Sequence, residues 1–263
     1  MRRISEAELK RVVAQYRRQL DMTNGNLERA LAQLGSAVDR GIIRELLRLE
    51  GVMDQRKVAE AQTVFRRILD QSNGEFARIA RETVPDVMET TLARSAASAR
   101  LVLGGTQLRR VLTVYEQLEQ GMAQGRLLRT AEYELGIWGA EWNDRMMKTF
   151  RSVNARVFEA AVRGQSSSNL AKGLAGDLSA LNLQDRINPE AFAQSFARTK
   201  INELNNVAGV EIAHEAGMDL YVNVGVPDER QSEICYRASQ ENAHTLEWWE
   251  QSEYGRPPRH YNY

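Results

Sequence analysis

Apolar residues recur along this chain at steps of three and four, the spacing that lays one stripe along a helix. Leu9, Val12, Val13, Tyr16 and Leu20 form a first stripe over residues 6–20, which Thr23-Asn24-Gly25-Asn26 is expected to break. Leu27, Leu31, Leu34, Val38, Ile42, Leu46 and Leu49 form a second, weakened by Gly35 and Gly41 and expected to end at Gly51. From Asp54 a third run turns Val58, Ala61, Phe65, Ile68 and Leu69 inward. Ser72-x-x-Glu75 then has the form of a capping box at which a helix restarts. Phe76 and Ile79 carry the pattern to Thr83-Val84-Pro85, where the proline either opens a new helix in its first turn or kinks the old one. Residues 86–103 read as helix, and Leu103-Gly104-Gly105-Thr106 is the clearest internal boundary.

Past that boundary Leu108, Val111, Leu112, Tyr115, Leu118 and Met122 mark another amphipathic helix, loosened by Gly121 and Gly125. A long helix over about 127–162 carries Leu135, Trp138, Trp142, Met146, Phe150, Val153 and Val157, whose aromatics are read as core. Gly164-Gln165-Ser166-Ser167-Ser168 ends it and caps the next helix, 169–178, before a loop at 181–187. A further long helix runs from Pro189 to Gly217. After it come a β-like run, Tyr221-Val222-Asn223-Val224, an irregular charged loop from Asp228 to Cys235, and a closing Pro257-Pro258-Arg259-His260-Tyr261-Asn262. No fixed-period repeat and no sustained heptad is present, so a helical bundle or arm is expected rather than a long coiled coil. The expected fold class is mainly α. Elongated helical regions at 1–105 and 106–188 precede a small α+β module at 189–263.

Composition narrows the picture. At 263 residues and 43% apolar, the chain can build one large core or two modest ones. Basic and acidic residues balance at 35 each, so no global charge draws it to nucleic acid or an anionic membrane. The balance conceals an asymmetry: residues 1–110 hold 20 basic against 14 acidic residues, and 111–263 hold 15 against 21. One cysteine excludes an internal disulfide and suits a reducing cytoplasm. Met1-Arg2-Arg3-Ile4-Ser5-Glu6 lacks the apolar core of a secretory signal, and no stretch reaches the ~18 apolar residues of a membrane span.

Candidate chemistry clusters at the end of the chain, with Cys235, His214, His244 and His260. Nothing around Cys235 carries a nucleophile signature, and a structural thiol is the reading preferred. Asp228 and Glu229 beside Arg230 suit either a metal or a solvated turn. Trp248 and Trp249, between Glu247 and Glu250, are either a candidate partner anchor or local packing. Arg11, Arg17 and Arg18 are candidate DNA contacts, or charges kept for solubility. No phosphate loop or dinucleotide fingerprint is present, and no cofactor and no metal are expected.

The order of parts in the last quarter resembles the C-terminal head-morphogenesis domain of the phage Mu F-like and SPP-type minor head proteins. The match runs through Ala197-Arg198-Thr199 on a helix, a turn at Gly217, a strand at 220–224, Asp228-x-Arg230 leading to Cys235, and Pro257-Pro258-x-His260-x-Asn262. It covers residues 163 onward well and 106–162 loosely. Lys200 stands where the family carries an acid, and Ala238 follows where a second cysteine is common. The sequence stops at Tyr263, where the family's terminal cysteines would begin, which leaves truncation or processing open. A lone thiolate with one or two imidazoles does not fill a tetrahedral zinc site.

The resemblance implies a non-enzymatic minor capsid protein, several copies per virion, in the head interior or at the portal vertex, with assembly in the host cytoplasm. Portal protein and major capsid protein are the partners it implies, with packaged DNA and no membrane involvement. It also casts Arg198 as a guanidinium tying its helix to the Asp228 loop, against a solvent-facing alternative. Two other readings remain: a DNA-associated internal protein using its basic front, and a metal-dependent hydrolase using Asp228, Cys235 and His260.

Overall fold

The structure, a computed structural model, describes residues 6–103, 105–121, 126–179, 189–217, 233–241 and 244–254. Among these residues the fold is mainly helical. In chain order the helices are α1 (Glu6–Arg48), α2 (Gln55–Val102), α3 (Gly105–Gly121), α4 (Arg126–Val162), α5 (Ser167–Ser179), α6 (Pro189–Glu215), α7 (Glu233–Gln240) and α8 (Leu246–Gln251). The β-like run at 221–224 and the loop at 181–187 lie outside the described residues.

Two expected breaks are corrected. Residues 23–26 lie inside α1. There the Thr23 hydroxyl donates to the Gln19 carbonyl at 3.2 Å, Arg29 Nη2 donates to Asn26 Oδ1 at 2.6 Å, and a Cβ on Gly25 would meet nothing within 4 Å. Polar side chains that look like breakers from the sequence are absorbed by bonds inside the helix. The restart at Ser72 is also absent, because α2 runs through it. Ser72 is buried and accepts from Trp142 Nε1 at 3.2 Å, while Glu75 accepts from Arg78 at 2.6 Å, so neither is free to cap. Pro85 stands within α2 and does not open a new helix.

The chain divides into two compact units. The first is formed by Asn24–Thr83 and Tyr133–Arg198. Its core takes Leu27, Leu31, Ile42 and Leu46 from α1, Phe65 and Phe76 from α2, and Phe196 from α6. To these α4 adds six of the seven residues of the predicted stripe, Trp138, Trp142, Met146, Phe150, Val153 and Val157, all buried, while Leu135 at its start is half-buried. Phe76 stacks on Trp142 at 5.0 Å and meets the edge of Phe196 at 5.8 Å; Trp138 meets Phe196 at 6.2 Å. Such pairs contribute about 0.5–1.5 kcal/mol each beyond their buried area. At one end the α1–α2 and α4–α5 turns are sewn together. Met53 N donates to Gln165 O at 3.0 Å and Ser167 N to Gly51 O at 2.9 Å, around an antiparallel bridge between Val52 and Ser166. Gly51 at φ 73° and Gly164 at φ 61° supply the left-handed backbone these turns need, as the sequence led us to expect of Gly51.

The second unit is formed by Met1–Thr23, Val84–Glu132 and Thr199–Tyr263. Leu20, Val87, Leu92, Val111, Ile201, Leu204 and Ile212 are buried in it. Inside this apolar setting the Thr91 hydroxyl, 2.7 Å from the Val87 carbonyl, also lies 3.0 Å from Asn205 Oδ1, where α2 meets α6. Lys200 is only 4% exposed, and its ammonium meets Glu203 at 2.8 Å.

Candidate functional site

The richest polar and aromatic grouping among the described residues is built by α7, α8 and the segments around them. Thr245 caps α8: its hydroxyl accepts from Trp248 N at 3.2 Å, and Ser252 N closes the other end on Trp248 O at 2.9 Å. A helix of six residues held at both ends fixes the direction of two adjacent indoles. Trp249 points inward and is fully buried, while Trp248 is 36% exposed.

Around Trp248 the rings form a continuous set. His244 stacks on it with centroids 3.5 Å apart and planes at 12°, Trp249 meets it edge-on at 5.1 Å, and Tyr254 lies 6.5 Å away. One carboxylate serves two of these rings: Glu241 Oε2 lies 3.4 Å from His244 Nε2, and Glu241 Oε1 accepts from the Tyr254 hydroxyl at 3.3 Å. Arg237 and Glu253 pair at 3.3 Å. Loss of hydration and the bond to Glu241 both hold the Tyr254 phenol above its ordinary value. The arrangement fixes a half-exposed indole face beside a bound carboxylate, which suits contact with a partner's apolar side chain or cation. Among the described residues no three His, Cys, Asp or Glu side chains stand where one metal ion would join them.

The residues singled out from the sequence fall unevenly. Arg198 and Thr199 sit half-buried on α6, followed by Gly217 at φ 67°. Cys235 belongs to α7, so Glu233–Cys235 are helical and the expected irregular loop is corrected there. Glu233 in the first turn suits the helix dipole, and Ala238 packs the helix down at 2% exposure. Asp228, Arg230, Pro257, Pro258 and His260 lie outside the described residues. Arg11, Arg17 and Arg18 are exposed on α1. His214 is exposed near the end of α6. Trp248 and Trp249 divide between the two alternatives: Trp249 is packing, and Trp248 is presented at the surface.

Sequence reasoning missed the grouping of Glu241 and Tyr254 with His244. The available signal was the spacing of Glu241, His244 and Trp248 at i, i+3 and i+7, with a capping threonine between the last two.

Comparison with known proteins adds no relative. No family model, curated protein or solved structure matches the chain. Among the described residues, no helix is long and apolar enough to cross a membrane.

Proposed function

We propose that the chain is a minor head protein of a tailed phage, of the Mu F-like and SPP-type kind, acting as a structural component bound to portal and major capsid protein in the head interior. It is present in several copies, takes part in head assembly and in DNA packaging or ejection, and carries out no catalytic turnover. The finer architecture belongs to this reading: residues 189–263 form a small α+β module, with a strand at 220–224 and Arg198 tying α6 to the Asp228 loop. The observation that carries the proposal is the order of Ala197-Arg198-Thr199, Gly217, Asp228-x-Arg230, Cys235 and Pro257-Pro258-x-His260-x-Asn262 along the last quarter. Support comes from α6, a continuous helix through Arg198 and Thr199 that leads into a left-handed Gly217. Trp248, held half-exposed by its cap and ring partners, is the anchor such a module would set against a neighbouring subunit.

The test is co-purification with the cognate portal. Binding that persists in high salt and weakens at least about tenfold in Trp248→Ala is expected, since truncating an aromatic hot spot costs about 2 kcal/mol or more. No portal association in either salt would overturn the reading.

A second reading rests on the exposed Arg11, Arg17 and Arg18 of α1, and makes the chain a DNA-associated internal protein. Under it, affinity for duplex DNA falls steeply with salt and portal binding is secondary. Stoichiometric metal in the purified protein, together with loss of function in Cys235→Ala, would instead favour a hydrolase.

A further inference from the structure

Within Asn24–Thr83 a groove of about 460 Å³ runs between α1 and α2. Its α1 wall steps through Leu34, Ala37, Val38 and Gly41, and its α2 wall carries Val64 and Ile68. Small residues line it: a Cβ on Gly41 would make ordinary contact with Ile68 Cδ1 at 3.5 Å, and Ala37 is exposed with only a methyl to offer. Leu34, Val64 and Ile68 are half-buried, whereas Leu31, Ile42, Val58 and Phe65 on the same helices are buried. The core is therefore complete without the groove, which leaves an apolar strip in contact with water.

Charge on the rim is not neutralised. Glu45 already accepts from Arg48 at 2.7 Å and Glu75 from Arg78 at 2.6 Å. Arg44 on one wall and Arg67 on the other are exposed and make no ion pair or hydrogen bond among the described residues. Each wall spans residues eleven apart, from 34 to 45 and from 64 to 75, which is about three helical turns. An apolar floor between two unpaired guanidiniums complements a helix with an apolar stripe at i, i+3, i+4 and i+7 and carboxylates on both flanks. A phosphate backbone fits less well, since it would be desolvated over aliphatic side chains.

We propose that this groove is a docking site for an acidic amphipathic helix of a partner protein. It stands independently of the head-protein reading, because it rests only on the walls and rim of the α1–α2 pair.

The experiment measures fluorescence anisotropy with the full chain and three labelled synthetic helical peptides of about 18 residues, five turns. One has a Leu stripe flanked by Glu, one the same stripe flanked by Lys, and one the Glu flanks with the stripe replaced by Ser. The Glu-flanked peptide is expected to bind at least about tenfold tighter than either other, with the preference shrinking as salt rises. Ala37→Leu, which fills the groove, should abolish binding. The double variant Arg44→Glu/Arg67→Glu should turn the preference toward the Lys-flanked peptide. These positions are exposed, and far-UV circular dichroism of each variant checks that its helices are kept. Equal binding of Glu- and Lys-flanked peptides, no saturable binding, or unchanged binding in Ala37→Leu overturns the proposal. So does dimerisation of the chain that Ala37→Leu abolishes, which makes the occupant a second copy. Salt-steep binding of duplex DNA lost in the Arg44→Glu/Arg67→Glu variant, with no discrimination among peptides, overturns it in favour of nucleic acid.

Discussion

Ser72 decides between two accounts of α2, and a double-mutant cycle separates them. In a capping-box account Ser72→Ala costs about 0.5–2 kcal/mol through lost backbone caps, and the loss is indifferent to residue 142. In the structure the Ser72 hydroxyl is the acceptor for the buried Trp142 Nε1 at 3.2 Å, so the alanine strands an indole N–H inside the core. That costs about 1–3 kcal/mol, offset by about 0.5 kcal/mol of helix propensity gained in mid-helix. The single variant alone therefore cannot discriminate. Trp142→Phe removes the donor and opens a void beside Phe76, for an estimated loss of about 2 kcal/mol. Serine left behind in a helix is able to turn its hydroxyl to its own i−4 carbonyl. In the double variant no N–H is stranded, so its destabilisation should fall short of the sum by about 1–2 kcal/mol. Urea unfolding followed at 222 nm, with unchanged m, gives each corner of the cycle. Additivity within about 0.5 kcal/mol would refute the placement of Ser72 against Trp142.

Burial without a partner makes Tyr115 the next test. Its hydroxyl is buried and unbonded among the described residues, and burial pushes its phenol up to about 12. The neutral form is the one the fold favours, so Tyr115 contributes stability that is present below pH 10 and lost as pH rises from 10 toward about 12. Tyr115→Phe should unfold at equal or higher urea at pH 8 and lose less between pH 10 and 12 than the parent; a larger loss would count against the site. Lys200→Glu, which restores the acid of the head-protein pattern, places a second carboxylate beside Glu203 at a 4% exposed position and should cost about 3 kcal/mol or more. Lys200→Met, which takes the ammonium away from Glu203 but leaves that carboxylate in contact with water, should cost less than Lys200→Glu in the same assay. Gly74→Ala and Gly136→Ala, in helices with open space around each Cβ, should each raise stability by about 0.5–1 kcal/mol. Gly164→Ala, at φ 61°, should lower it. Thermal melts give all three signs.

What was legible in the sequence follows from which signals are unconditional. The α4 stripe from Trp138 to Val157 has a period that only a helix satisfies, and all six of its positions from Trp138 onward are buried. A glycine at positive φ ends a helix, and Gly164 and Gly217 do so; after α1 the chain first turns left-handed at Glu50, φ 35°, with Gly51 next. Ser, Thr and Asn are conditional. Thr63, Thr83, Thr91 and Thr113 each donate to the carbonyl four residues back, as Thr23 does, so a polar residue in a helical run is no break by itself. Ser72 was illegible for a second reason: its partner is 70 positions away. Short helices such as α7 and α8, eight and six residues long, offer too few turns for a period to emerge. The site they carry became visible only when Glu241, His244, Trp248 and Tyr254 were placed in space.

The most informative departure lies in the stripes that were right. From the sequence Leu34 belongs with Leu31 and Val38, and Ile68 with Phe65, as one inward face. The structure divides that face: Leu31, Val38 and Phe65 are buried, and Leu34 and Ile68 stop half-way. An apolar band wider than its own core requires is the pattern of a helix pair with a second contact to make. Periodicity reports the sum of both contacts, because water excluded by the chain itself and water excluded by a partner select the same residues. Only half-burial separates the two. It puts the surplus between Ala37 and Ile68, where small side chains keep the space open and Arg44 and Arg67 leave its charge unmatched.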